Sequence, residues 1–109
     1  SQFINALFAE AARLWGTWGA TEHDAVQALL PLARGTLAAI EAVGIGAGMP
    51  GPVSRGDLKT VAQHLASFDP EDAPGLAAYR LLCGRTVDLV EQRGGIDAAR
   101  LQALRNALA

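Results

Sequence analysis

This sequence has little cysteine and no concentration of positive charge. The single cysteine, Cys83, excludes an internal disulfide and is typical of a protein from a reducing compartment. The nine lysine and arginine residues are spread along the whole 109-residue chain, and the net charge is -2. Because no basic stripe could follow a phosphate backbone, we expect no nucleic-acid partner.

Long hydrophobic runs and export signals are also lacking. The longest apolar run is far shorter than the roughly 18 residues that a membrane-spanning helix needs, and no signal peptide opens the chain. We therefore expect a cytoplasmic protein without a membrane partner. The chain begins Ser1-Gln2-Phe3 without an initiating methionine, and the helical pattern is already running there, which indicates a piece of a longer polypeptide.

Strand patterns are absent as well. Nowhere do about four to eight residues alternate between apolar and polar, whereas apolar residues at three- and four-residue steps recur along the chain. We predict a single all-α domain, residues 1–109, of about five packed helices. Half of the residues are hydrophobic and the mean hydropathy is +0.20, which favours an oligomer or a missing partner domain.

The first two helices are the most apolar. The first is predicted to end near Gly19, and its apolar stripe, with Trp15 and Trp18, is typical of core packing. A capping box over residues 21–24 begins the second helix. Pro31 removes a backbone donor and crowds the preceding turn, so we expect this helix to bend or break there.

The second helix carries very little charge. Arg34 and Glu41 are the only ionisable side chains from residue 25 to residue 50, so we expect its other sides to be buried. A short third helix is predicted to begin at Ser54 or Asp57.

Two more helices follow the acidic turn at residues 69–74. The fourth is predicted to end at Gly94-Gly95, and Asp97 caps the fifth. The inward positions predicted for the fourth helix are Leu76, Tyr79, Leu82, Cys83, Thr86, Val87 and Val90. Those predicted for the fifth are Leu101, Leu104 and Leu108.

The loop at residues 44–57 contains two familiar short motifs. The dinucleotide fingerprint G-x-G-x-x-G is spelled by Gly46, Gly48 and Gly51. That motif needs a preceding strand and a helix that opens within it, whereas here a helical pattern precedes and prolines interrupt the helix start. The cell-adhesion tripeptide Arg55-Gly56-Asp57 runs directly into a helix, so we interpret Asp57 as a helix cap.

Ordered motifs give the chain a wider resemblance. Residues 30–37 read L-P-L-A-R-G-T-L, and Gly51-Pro52 and Arg55-Gly56-Asp57 form G-P-x-x-R-G-D, followed by Thr60-Val61 and His64-Leu65. Tyr79 to Thr86 matches a further Y-x-x-L-x-x-x-T helix. With these motifs the sequence resembles the helical domain of unknown function 2520, which follows a Rossmann-like domain in many bacterial proteins.

The resemblance implies a fold like the C-terminal domain of 6-phosphogluconate dehydrogenase and of pyrroline-5-carboxylate reductase. Such helical domains dimerise and close a substrate cleft against a nucleotide-binding domain. The chain would then form a homodimer and act with the N-terminal Rossmann-like domain of the same oxidoreductase-like protein, which is absent here. NAD or NADP is expected in that missing domain and no cofactor in this one, which alone is not expected to be catalytic.

Four polar residues are candidates for the substrate cleft: Arg55, Asp57, Thr60 and His64. Asp57 and His64 are seven residues apart and would share a helix face, with Arg55 at the helix entrance. A guanidinium and an imidazole there could contact an anionic substrate. The alternative is structural, with Arg55 paired to an acid or carbonyl and His64 half-buried. The loop itself would be shaped by Gly51, Pro52 and Gly56.

Other polar residues carry weaker signals. His23, His64 and Cys83 lack any ligand spacing that supports a metal site. We expect His23 to be solvated and Cys83 to act as a small hydrophobe. For the chain as a whole, the alternative function is a non-enzymatic dimerisation or protein-interaction module, which the surplus of apolar residues supports equally well.

Overall fold

The computed structural model describes residues 1–109 and contains five α-helices and no β-strand. The helices are α1 (Gln2–Gly16), α2 (Glu22–Val43), α3 (Leu58–Ser67), α4 (Ala73–Arg93) and α5 (Ala98–Leu108). The predicted all-α class with five helices is therefore confirmed. The chain divides into two compact units, residues 1–38 and 39–109.

Short polar contacts fix the helix ends of the first unit. α1 ends at Gly16, earlier than predicted, where the Thr17 hydroxyl donates to the Leu14 carbonyl at 2.6 Å. The predicted start of α2 is confirmed. Thr21 Oγ1 accepts the backbone N–H of Asp24 at 3.1 Å and so caps the helix.

Pro31 does not break α2, which is continuous over 22 residues. A proline in a helix removes one backbone hydrogen bond. One turn later, the Thr36 hydroxyl donates to the Leu32 carbonyl at 3.1 Å. By length and composition alone, α2 is also long and apolar enough to cross a membrane. This is weak evidence for a membrane span, because core helices and signal sequences meet the same two criteria.

The apolar faces of the first unit are exposed, so the predicted core packing of α1 and α2 was wrong. α1 has no buried residue, and both Phe3 and Trp18 are 75% exposed. α2 buries only Ala25, while Leu32 is 69% exposed. A wide apolar stripe needs several neighbours, and a unit of only two helices cannot cover more than one side of each.

The hydrophobic core lies in the second unit, where α5 packs against α3 and α4. Its buried members are Val53, Val61, Val87, Val90, Leu101, Leu104 and Leu108. The inward positions predicted for α5 are therefore confirmed, as are Val87 and Val90 of α4. Leu82 was also predicted to point inward but is 46% exposed, because it lies beside the stripe that Val87 and Val90 continue.

An aspartate begins each helix of this core. The three caps are Asp57, Asp72 and Asp97, whose carboxylates accept the backbone N–H three residues later at 3.0, 3.1 and 2.8 Å. Each carboxylate satisfies a free donor and favours the positive end of the helix dipole. α4 ends at Arg93 and is followed by Gly94, whose φ of 85° favours glycine, as predicted from the sequence.

Candidate functional site

Glycines in left-handed conformations shape the loop between α2 and α3. Gly44, Gly51 and Gly56 have φ values of 88°, 101° and 68°. At Gly56 a Cβ would also lie 3.3 Å from the Ile96 side chain. The carbonyl of Pro52 accepts the N–H groups of Arg55 and Asp57 at 3.2 and 2.8 Å, which closes the bend directly before α3.

This loop does not fit the pyrophosphate of a dinucleotide. Its G-x-G-x-x-G follows the helix α2 instead of a strand, and the next helix begins only at Leu58. The N-terminus of that helix already holds the carboxylate of Asp57, which would repel a phosphate placed there.

Asp57 and Thr60 bind each other at the start of α3. Asp57 Oδ1 accepts the Thr60 backbone N–H at 3.0 Å, and Oδ2 accepts the Thr60 hydroxyl at 2.7 Å. These hydrogen bonds, with a smaller contribution from Arg55, lower the pKa of the Asp57 carboxyl. Because both of its oxygens are engaged, Asp57 caps the helix and is poorly placed to contact a substrate directly.

The Arg55 guanidinium lies at the outer side of this bend. It is 3.8 Å from Asp57 Oδ2, and 63% of its side chain is exposed. A long ion pair at such exposure contributes little binding energy. The guanidinium therefore remains open to an anionic ligand.

His64 lies one turn after Thr60 on α3 and contacts α4. Its Nδ1 is 3.0 Å from the hydroxyl of Tyr79, and the two rings meet edge to face with centroids 5.9 Å apart. The Tyr79 ring also packs against Phe68 at 5.4 Å. The residue is exposed, although its ring contacts Tyr79.

The structure thus separates the four candidate cleft residues into two groups. Arg55, Asp57 and Thr60 surround the start of α3, whereas the hydrogen bond of His64 goes to Tyr79. The sequence placed Tyr79 among the inward positions of α4 and at the start of the Y-x-x-L-x-x-x-T motif. Its pairing with His64 had no local signal, because the two residues are 15 positions apart.

Arg93 holds the loop from the other side and was missed by sequence analysis. Its guanidinium donates to Ser54 Oγ at 2.7 Å and to the Ser54 carbonyl at 2.9 Å. Ser54 is the buried polar residue of the second unit and directly precedes Arg55. An arginine in the last turn of a helix is ordinarily explained by the helix dipole, so its sequence position did not indicate a partner 39 residues earlier.

The remaining charged clusters have structural explanations. Arg105 of α5 pairs with Asp88 and Glu91 of α4, which ties these two helices together at the surface. No group of three or more histidine, cysteine, aspartate or glutamate side chains is arranged to hold a metal ion. His23 is exposed, and Cys83 packs partly buried against the core.

Comparison with known families decides the assignment of the chain. The family described as Domain of unknown function (DUF2520) matches residues 1–86. The chain belongs to this family. The matched part of the DUF2520 domain contains the loop, α3 and Tyr79, and it ends within α4, before Arg93 and α5. Neither a curated protein nor a solved structure shows significant similarity.

Proposed function

We propose that this DUF2520 domain is a helical dimerisation domain that supplies one wall of a substrate cleft to an NAD(P)-dependent oxidoreductase-like protein. The nucleotide would be bound by a Rossmann-like domain of the same protein. The observation that carries the proposal is the exposed apolar surface of α1 and α2. Such a surface costs free energy in water and is typical of a protein interface.

An apolar groove runs between α1 and α2 within the first unit. Its volume is about 320 Å³, and Thr36 is the only polar residue that lines it. The apolar lining consists of Ile4, Leu7, Phe8, Ala11, Leu29, Leu32, Ala33 and Leu37. With no charge to recognise, the groove favours an apolar helix surface over a charged peptide or a polyanion.

The other side of the same two helices is open as well. A second groove of about 400 Å³ is lined mainly by apolar residues, with Asn5 and Glu22 as its polar members. Ile4 and Phe8 border both grooves. The two-helix unit is therefore an open layer, and helix surfaces are needed on both of its sides to remove the apolar residues from water.

A second copy of the chain is the partner that fits best. The large side chains of this unit that are at least half exposed are Phe3, Ile4, Leu7, Trp18, Leu32 and Leu37. Together they offer on the order of 500 Å² of apolar surface, a large part of the roughly 800 Å² that each partner buries in a standard interface. A twofold axis would place the uncharged apolar stripe of one copy against the same stripe of the second copy. Such a contact needs no complementary charge.

Two exposed side chains of the second unit, one guanidinium and one imidazole, support the proposed role in a substrate cleft. Arg55 presents its guanidinium at the start of α3, and His64 presents its imidazole further along the same helix. Guanidinium and imidazole groups bind carboxylate and carbonyl oxygens. Carbonyl or imine substrates that also carry an anionic group are therefore the class to screen.

Light scattering of wild type and two matched variants tests dimerisation. Leu32→Glu introduces a charge into the groove, whereas Leu81→Glu introduces it at a leucine on α4 that is 67% exposed and outside the groove. We expect wild type and Leu81→Glu to be dimers at tens of micromolar and Leu32→Glu to be a monomer, because a buried unpaired carboxylate costs several kcal/mol. A monomeric wild type would refute this half of the proposal.

The alternative is a non-enzymatic helical interaction module, which the same open grooves favour. Both functions require the dimer, and they differ in the rest of the protein. We expect the full-length protein to bind NAD or NADP, and Arg55→Met to raise KM for an anionic substrate. A full-length dimer that binds neither nucleotide would favour the interaction module.

A further inference from the structure

The hydroxyl of Tyr79 has two neighbours that could accept its proton. One is Nδ1 of His64 at 3.0 Å, and the other is the thiol of Cys83, one turn further along α4. Burial and the neighbouring Cys83 raise the pKa of the Tyr79 phenol, and burial also raises the pKa of the Cys83 thiol. Both groups therefore keep their protons at neutral pH.

These two neighbours differ in their strength as hydrogen-bond acceptors. A neutral imidazole nitrogen is a good acceptor, whereas a thiol sulfur is a weak one. When Tyr79 donates to Nδ1 of His64, the phenol oxygen is free to accept from the Cys83 thiol. The reverse arrangement, in which Nδ1–H donates to Tyr79 and Tyr79 donates to Cys83, would place a hydrogen bond on the weak thiol acceptor.

We propose that Tyr79 is a positioning residue that holds His64 in the tautomer with its proton on Nε2, so that His64 offers a fixed hydrogen-bond donor to a carbonyl or carboxylate oxygen. The ligand assignment rests on the proposed substrate cleft, whereas the tautomer assignment stands on the contacts within this chain. The hydrogen bond of the imidazole within the chain is made at Nδ1, and the residue is exposed.

The surroundings of Tyr79 make the donor rigid. The phenol ring is partly buried on α4, with Phe68 against it at 5.4 Å and the His64 ring edge on at 5.9 Å. An exposed histidine without such support samples both tautomers and several rotamers, which lowers its affinity for a ligand. Fixing the ring beforehand removes that cost.

Long-range ¹H–¹⁵N correlations from the imidazole C–H protons test the tautomer in the 109-residue chain at about pH 9, where an imidazole is neutral. We expect His64 in wild type to show one tautomer, with Nδ1 unprotonated. In Tyr79→Phe we expect a mixture, while exposed His23 gives the same mixture in both proteins. A mixed or Nδ1-protonated His64 in wild type overturns the positioning role, and that measurement needs no variant to fold.

Sodium acetate serves as the probe for the ligand class. We expect it to shift the His64 resonances saturably, and Tyr79→Phe to weaken the response roughly two- to tenfold, the range expected for one directed hydrogen bond. An ordered tautomer with no acetate response would overturn the ligand assignment and the cleft on which it rests. A mixed tautomer would instead overturn the positioning role alone, so the two failures are distinguishable.

Discussion

Arg93 is the side chain whose removal tests the structure of the loop most directly. Its guanidinium donates two hydrogen bonds to Ser54, at 2.7 and 2.9 Å, from the last turn of α4. Arg93→Met keeps the aliphatic stem and removes both donors. We expect the free energy of unfolding to fall, since a buried hydroxyl and a backbone carbonyl then lose their partners.

The size of the effect follows from the burial of the two partners. Hydrogen bonds from a charged donor are worth about 1.5–3 kcal/mol each, and an unsatisfied buried group costs about 1–3 kcal/mol. Ser54 is only 9% exposed, but Arg93 itself lies at the surface, so water replaces part of what is lost. We therefore expect Arg93→Met to cost about 2 kcal/mol. Arg93→Lys, which has no bidentate geometry, should cost about 1 kcal/mol.

Urea unfolding followed by circular dichroism at 222 nm measures these differences. Arg80→Met is the matched control, because Arg80 is an exposed arginine of the same helix. We expect this control to lie within about 0.5 kcal/mol of wild type. If Arg93→Met were no less stable than Arg80→Met, Arg93 would not hold the loop.

Two further predictions concern glycines and pH. Gly84→Ala should raise the free energy of unfolding by about 0.5–1 kcal/mol, because the glycine lies in α4 with open space around it. Gly48→Ala should instead lower it, because the added Cβ would lie 2.8 Å from the Gly44 carbonyl oxygen; equal melting temperatures for the two variants would contradict the described packing. The pKa of Asp57 is lowered in the folded state from its usual value of 3.8. Its ionised form therefore stabilises the fold at pH values above 3.8, and this stabilisation is lost as the pH falls through the pKa of the folded state. The stability difference between wild type and Asp57→Asn should therefore be constant from pH 7 to about pH 5 and should change below pH 4; a difference unchanged at pH 2.5 would show that the charge of Asp57 does not matter.

Local chemistry was enough to predict most of the secondary structure. Aspartate caps, terminal glycines and leucines at helical spacing act within one or two turns, so Asp57, Asp97 and Gly94 were recognisable without tertiary information. At Pro31 the predicted alternatives were a bend or a break, and the break did not occur, since a 22-residue helix tolerates one missing hydrogen bond.

Burial could not be predicted in the same way. Periodicity shows which side chains share a helix face, but it does not show what covers that face. α1 has the wider apolar stripe in sequence, yet α5 is the helix that packs against two others, and α1 has no buried residue.

The candidate site was predicted in part, for a related reason. Arg55, Asp57 and Thr60 are close in sequence and are close in space. The partners of His64 and Arg93 lie 15 and 39 residues away, respectively, and only the packing of α4 against the rest of the unit brings them together. The seven-residue spacing predicted that His64 and Asp57 share a helix face. As a cap, however, the Asp57 carboxylate binds the backbone N–H of Thr60 at the start of its own helix.

The way α4 and α5 complete the core has a practical consequence for the expression of this protein. Trimming the protein at residue 86, where the family match stops, would cut α4 before Val87 and Val90 and discard every leucine of α5. Val61 would then face water, and we expect such a truncated product to be digested rapidly by proteases or to precipitate in the host cell. Cloning boundaries for this chain should therefore extend past Leu108.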